Sequence, residues 1–223
     1  MAKFNFVTVE EISSAEVSPI IENTFDKRDS VLFKGSAVDL AHLTACLASG
    51  KPYHGLPCSK QNVVFWAPFE DAPYVSDVFH RSSEAYSYSM SDVSSVKACA
   101  DMNYWYMSDF FESLEKQLVE SETHPDVIVV SFGGSVTKTE VSTKAAYVKE
   151  FMSNINNLIN KFNATVIFSF EPLDKKIEHN EKRIEKLNND IFIKDNVSAV
   201  INTNFKTKIG FWHKKYPEYS VKK

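Results

Sequence analysis

The chain has 223 residues, of which 43% are hydrophobic and 13% aromatic, and its formal net charge is −4. These values predict one α/β-sized domain over residues 1–223 with a sizeable core, and they exclude a disordered, collagen-like or uniformly basic, histone-like protein. Only 6 residues are glycine, which is few for a protein that cradles phosphate in a glycine-rich loop.

Strands and helices alternate along the predicted chain. Apolar and polar residues alternate in the short segment 4–11. Apolar runs then predict buried strands at 30–33, 63–67, 127–130 and 165–170, and two further strands follow at 198–202 and 208–212. Apolar residues at helical spacing predict the helices 37–49, 73–83, 109–119, 140–162 and 174–189. This pattern predicts an α/β fold with a mainly parallel central sheet and helices on both faces.

Ligands of such folds bind at the carboxyl ends of the parallel strands. The candidate site residues are therefore those that directly follow a predicted strand: Lys34-Gly35-Ser36, Glu70-Asp71, Ser131-Phe132-Gly133 and Glu171. Two of these groups also have a purely structural interpretation, since Ser36 and Asp71 are residue types that cap the N-terminus of a following helix.

Four stretches carry a resemblance to a known family. They are the helix and the turn ASGKPYHG within residues 31–58, the strand that ends in Glu70-Asp71, the run PDVIVV at 125–130 and the strand NATVIF at 163–168. In order and spacing the chain resembles the RepA-like branch of the RecA-type ATPases of plasmid and phage replication and recombination. The resemblance spans roughly residues 5–216 and implies a RecA-like fold with a C-terminal β-hairpin, together with assembly into a homo-oligomer.

The residues that bind nucleotide phosphate in that family are replaced here. A P-loop reads G-x-x-x-x-G-K-[ST], in which the backbone and the lysine hold the phosphates and the hydroxyl holds Mg²⁺. By the resemblance, the lysine position falls on Ser36, the Ser/Thr position on Ala37 and the Walker B aspartate on Ser131. We therefore expect Lys34, Gly35 and Ser36 to be a remnant of a nucleotide-binding loop, with no bound cofactor.

Glu70 matches the water-activating carboxylate of the family. Without a phosphate cradle or a metal ligand it has no substrate on which to act, so we expect a relic and no catalytic residue.

The C-terminal segment is basic although the rest of the chain is acidic. Residues 205–223 contain six lysines and one acid, and aromatic residues alternate with the lysines, as in sites that bind single-stranded nucleic acid. The predicted DNA-binding residues are Lys206, Lys208, Trp212, Lys214, Lys215 and Tyr216. The alternative is an edge strand whose lysines prevent aggregation. The cluster Tyr104-Trp105-Tyr106 is expected in the core or at a subunit interface.

The sequence lacks the patterns that are typical of metal sites, disulfide frameworks, signal peptides and membrane spans. The three cysteines form no CxxC pair and the six histidines show neither HxH nor HExxH spacing, so we expect no metal site and no disulfide framework. The first residues lack the apolar core of a signal peptide, and no apolar run is long enough to span a membrane. These observations predict a cytoplasmic protein without a membrane partner.

Three functions remain open at this point. We predict a degenerate RecA/RepA-like protein that does not hydrolyse nucleotide and serves as a DNA-binding or oligomerising accessory in phage or mobile-element replication or recombination, with single-stranded DNA favoured. The first alternative is a protein-interaction module that inhibits or recruits an ATPase or another host or viral partner. The second is an atypical NTPase that uses Glu70 with a rebuilt loop at Lys34.

Overall fold

A computed structural model describes residues 19–68, 70–100, 107–132, 144–170, 196–204, 206 and 208–223. Several sequence predictions lie outside these residues: the segment 4–11, the helix 174–189, Tyr104-Trp105-Tyr106, Gly133 and Glu171.

The elements alternate between strands and helices as predicted. The strands are β1 (Pro19–Ile21), β2 (Phe25–Asp26), β3 (Ser30–Lys34), β4 (Val63–Trp66), β5 (Lys97–Cys99), β6 (Val127–Ser131), β7 (Thr165–Ser169), β8 (Ala199–Asn202), β9 (Lys208–His213) and β10 (Tyr216–Lys222). The helices are α1 (Ala37–Ser49), α2 (Ala72–Tyr86), α3 (Met107–Glu120) and α4 (Lys144–Phe162), with a 3-10 helix at Met90–Val93.

Eight strands form one sheet in the order β10-β9-β8-β3-β7-β6-β4-β5. The six strands from β8 to β5 are parallel to one another. Strand β9 is antiparallel to both β8 and β10. The predicted α/β class and the mainly parallel sheet are thus confirmed, and β3, the first strand of this sheet in the chain, lies in its interior.

Helices cover both faces of the sheet. Side chains of α1 and α2 pack with Val31 and Phe33 against what we call the first face. Side chains of α3 and α4 pack with Leu32 against the second face. Successive residues of a strand point to opposite faces, so a strand with a helix layer on each side must be apolar throughout. This explains the continuous apolar runs in the sequence.

The ends of the first two helices follow from local hydrogen bonds. The Ser36 hydroxyl accepts a hydrogen bond from the backbone N–H of Asp39 and begins α1, and Gly50 ends this helix with a φ of 75°. The Asp71 carboxylate accepts a hydrogen bond from the Tyr74 N–H and begins α2. The capping interpretation of Ser36 and Asp71 is therefore confirmed.

Some elements were not predicted from the sequence. The region 84–108 contains the 3-10 helix and the edge strand β5, and a further strand, β10, follows the last predicted one. Within the part of the chain that the structure describes, every helix is too short or too polar to cross a lipid bilayer.

Candidate functional site at the carboxyl ends of the parallel strands

The loop after β3 is closed by a residue that follows β8. The backbone N–H of Thr203 donates a hydrogen bond of 2.8 Å to the carbonyl oxygen of Lys34. A Cβ atom on Gly35 would lie only 1.8 Å from the Thr203 hydroxyl oxygen. Glycine is therefore required at position 35 by this close approach, and the Thr203 side chain fills the space beside the loop.

The carboxylate of Asp39 lies at the N-terminal end of α1, where it is nearly buried, with 7% exposure. Its Oδ2 atom accepts hydrogen bonds from the hydroxyls of Ser36 at 3.0 Å and Thr203 at 2.8 Å. Its Oδ1 atom accepts a hydrogen bond from the Tyr86 hydroxyl. The free N–H groups and the dipole of a helix N-terminus attract anions. At the N-terminus of α1 this anion is the carboxylate of Asp39. A phosphate group would meet a negative charge at this position.

The other residues of the predicted nucleotide site are spread along the strand ends. Lys34 is half-buried at the end of β3, and Glu70 is half-buried in the loop after β4. Strands β7 and β6 separate β3 from β4, and three strand spacings amount to about 14 Å. The structure therefore does not bring Glu70 next to the loop after β3.

Ser131 occupies the position where the family resemblance places the Walker B aspartate. It ends β6, lies in register with Ser169 of β7 and is fully buried. Its hydroxyl oxygen has no hydrogen-bond partner among the described residues. A neutral hydroxyl cannot replace the negative charge with which a carboxylate supports Mg²⁺.

The predicted DNA-binding lysines fall into two groups. Lys206 and Lys208 lie at the carboxyl edge of the parallel strands, whereas Lys214 and Lys215 form the turn between β9 and β10. Five residues of β9 lie between Lys208 and Lys214, and the six residue steps amount to about 20 Å. The carboxyl-edge group also includes Lys222, which is the cross-strand partner of Lys208, and Lys223. All six lysines are exposed.

The prediction of DNA-binding residues also includes two aromatic residues, Trp212 and Tyr216. Trp212 is half-buried and packs against the core of the second face. Tyr216 begins β10, and its side chain lies outside the described residues.

The turn between β9 and β10 is tied to the turn between β2 and β3 at the amino edge of the parallel strands. The Lys215 Nζ lies 3.3 Å from the buried Asp26 Oδ2, and the His213 Nε2 lies 2.9 Å from the Asp29 Oδ2. The backbone N–H of Lys215 donates to the His213 Nδ1 at 3.0 Å, so the Nε2 carries the proton and donates to Asp29. Ligand atoms of Asp26, Asp29 and His213 lie within 4.8 Å of one another, but Lys215 already supplies the cation there.

Sequence reasoning missed a ring cluster beside Asp39. The ring of His42, one turn further along α1, stacks on Tyr86 with centroids 3.9 Å apart and contacts Tyr53 at 5.3 Å and His54 at 5.0 Å. Burial lowers the pKa of His42 to about 4, with a further lowering by His54 that Asp39 opposes. Burial also lowers the pKa of His54 and raises that of Tyr53 well above its ordinary value. In the sequence His42 and His54 match no metal-ligand spacing.

An apolar groove of about 210 Å³ lies beside the edge strand β5. Helix α2, the 3-10 helix and β5 supply its walls, including Val75, Phe79, Met90, Val93 and Ala98.

No protein-family model matches this chain, and no curated protein shows significant similarity to it.

Proposed function

We propose that the chain is a RecA/RepA-like protein that has lost nucleotide hydrolysis and binds single-stranded DNA as an accessory in phage or mobile-element replication or recombination. The observation that carries the proposal is the exposure of six lysines on and beside the last two strands: Lys206, Lys208, Lys214, Lys215, Lys222 and Lys223. The binding would not depend on nucleotide.

The position of β3 supports the RecA-like part of the proposal. A P-loop lies between a strand and the helix that follows it, and the segment 34–36 occupies this position between β3 and α1. Strand β3 has parallel neighbours on both sides. The antiparallel pairing of β9 with β8 and with β10 supports the C-terminal hairpin that the resemblance implies.

The surroundings of Asp39 support the loss of hydrolysis. Phosphoryl transfer requires positive groups around the phosphates, whereas the N-terminus of α1 already holds a carboxylate with three hydroxyl donors. The remaining carboxylate of the family pattern, Glu70, follows β4, which two strands separate from β3.

A pair of like charges supports anion binding at the carboxyl edge. Lys208 and Lys222 face each other in the β9–β10 register. Two positive charges opposite each other on antiparallel strands make this part of the surface attractive to a phosphate group. Each lysine that neutralises a phosphate also releases a counterion, so the affinity for DNA must fall as the salt concentration rises.

Paired charge reversals test the proposal. One variant carries Lys208→Glu and Lys222→Glu, the second carries Lys214→Glu and Lys215→Glu, and the control carries Lys116→Glu and Lys149→Glu on helices α3 and α4. Fluorescence anisotropy of a labelled oligothymidine is followed at several salt concentrations. Loss of two phosphate contacts should reduce the slope of log affinity against log salt by about 1.4.

We expect both variants of the last strands to bind at least about tenfold more weakly than the control. Equal affinity in all three variants would refute the assignment of DNA binding to β9 and β10. Light scattering of the same samples tests the homo-oligomer that the resemblance implies.

A further inference from the structure

Strand β9 places a lysine, a glycine and a tryptophan on one side. Ile209 and Phe211 belong to the core of the first face, whereas Trp212 packs against the core of the second face. Successive residues of a strand point to opposite faces. Lys208 and Gly210 therefore lie on the same side of β9 as Trp212.

Gly210 leaves a gap in the middle of this side. Its cross-strand partners are Asn202 of β8 and Ser220 of β10, two short polar residues. Lys208 and Trp212 are four residue steps apart, a distance of about 13 Å. Consecutive stacked bases are only about 3.4 Å apart, so the gap above Gly210 is wide enough for a base.

Positive charge lies at both ends of the same side of β9. Lys208 and its cross-strand partner Lys222 are exposed at one end. At the other end the backbone N–H of Lys214 donates to the Ser198 carbonyl oxygen at 2.9 Å, so the pairing of β9 with β8 continues to this residue. By alternation the exposed Lys214 lies on the side of Trp212. A nucleic-acid backbone along β9 would meet a lysine at each end and a ring between them.

A ring between two charged groups favours unpaired bases. Lysines contact the phosphates of single and double strands alike and carry no preference between them. Aromatic side chains stack on the exposed faces of bases in single strands, whereas the bases of a duplex already stack on one another. Trp212 is half-buried, so the core holds its side chain in place while part of it stays accessible.

We propose that a single strand lies along this side of β9 with an unpaired base stacked on Trp212 above Gly210, and that this contact gives the preference for single-stranded over double-stranded DNA. The amide of Asn202 and the hydroxyl of Ser220 border the base and can hydrogen-bond to its edge. The inference rests on the proposed function, because it presumes that Lys208 and Lys214 bind phosphate.

Oligomers with and without bases test this proposal. Fluorescence anisotropy compares a labelled oligothymidine with an abasic oligomer of the same length, which carries the same phosphates. We expect the wild type to bind the oligothymidine about tenfold more tightly. Gly210→Val fills the gap with a residue that favours strands, so it should remove this preference and leave the affinity for the abasic oligomer unchanged. Val221→Thr, on the other side of the same hairpin, is the matched control and should keep the preference.

The outcomes separate this inference from the proposed function. Equal affinity of the wild type for both oligomers would overturn the stacked base and leave phosphate binding intact, and so would a preference that Gly210→Val retains. If neither oligomer binds, the proposed function fails and the inference fails with it. Should Gly210→Val not fold by circular dichroism, tryptophan fluorescence decides. Oligothymidine must then quench the emission of the wild type more than that of Trp212→Phe, and equal quenching would overturn the inference.

Discussion

The Thr203 hydroxyl donates a hydrogen bond of 2.8 Å to the Asp39 carboxylate across 164 positions of the chain. This bond joins the residue after β8 to the first turn of α1, and it holds the carboxylate at the helix N-terminus. The position that a phosphate would take in a nucleotide-binding loop is thus occupied by a side chain of the protein. A phosphate group at this helix N-terminus would meet the negative charge of Asp39.

The first prediction concerns the stability that Asp39 contributes. Asp39→Asn removes the charge and leaves at least one of the three hydroxyl donors without an acceptor. Hydrogen bonds to a buried charged group are worth more than neutral ones, so the free energy of unfolding should fall by about 2 kcal/mol. Urea denaturation measures this change as a lower midpoint at an unchanged slope.

Asp77→Asn serves as the control for this experiment. Asp77 pairs with Arg81 one helical turn away, and 58% of its side chain is exposed. Its substitution should cost no more than about 0.5 kcal/mol. Equal losses for the two variants would show that Asp39 does not organise the end of the sheet.

The second prediction concerns the close approach of Gly35 and Thr203. Gly35→Ala places a methyl group against the Thr203 hydroxyl, which cannot turn away without leaving Asp39, so the free energy of unfolding should fall by about 1–3 kcal/mol. In a Thr203→Ala background the same substitution should cost about 1 kcal/mol less, since the oxygen is gone. Additive losses in this double-mutant cycle would contradict the contact.

The third prediction concerns the pH dependence of stability. The folded protein keeps His42 neutral down to pH about 4, whereas the unfolded chain protonates it near its ordinary value. Between these pH values the unfolded state binds the extra proton, so stability must fall as the pH falls from about 6.5 towards 4. The groups that face His42 are His54, Asp39, Tyr53, Tyr86 and Tyr88, and the lowered pKa of His54 acts in the same direction.

Urea denaturation at pH 7, 6 and 5, with a chelator present, measures this dependence. The His42→Gln variant should lose less stability than the wild type over the interval. Parallel pH profiles of the two proteins would contradict a neutral, buried His42.

The fourth prediction concerns the different contributions of Lys214 and Lys215 to the stability of the protein. Lys215 pairs with the buried Asp26, although 61% of the lysine side chain is exposed, while Lys214 is exposed in the same turn. Lys215→Ala should therefore lower the free energy of unfolding, by no more than about 1 kcal/mol, and Lys214→Ala should leave it unchanged. If Lys214→Ala is the more destabilising of the two, the ion pair does not fix the turn.

The layered architecture followed from local sequence signals. Helix α1 has the predicted bounds because Ser36 and Gly50 are the cap residues that its ends require. Strand β6 was predicted because both of its faces are covered and its side chains are apolar throughout. Strand β5 escaped prediction because it has three residues and little burial, so its sequence carries no periodic signal.

The polar clusters could not be predicted, because they depend on contacts between distant parts of the chain. Asp39 meets Tyr86 across 47 positions and Thr203 across 164. The predicted DNA-binding residues lie close together in the sequence. In the structure β9 separates their lysines into one group at the carboxyl ends of the parallel strands and another at the amino ends. The sequence shows that this segment is basic, but it does not show how far apart its lysines lie.

The most direct test of the account is a fluorescence-anisotropy titration of single- and double-stranded oligonucleotides with the wild-type protein, at two salt concentrations and with Mg-ATP present or absent. We predict tight binding of the single strand that weakens with salt and is unaffected by ATP. Binding that requires ATP would contradict the loss of nucleotide dependence. No binding at the lower salt concentration would refute the DNA-binding function and make a protein partner the leading hypothesis, ahead of an atypical NTPase.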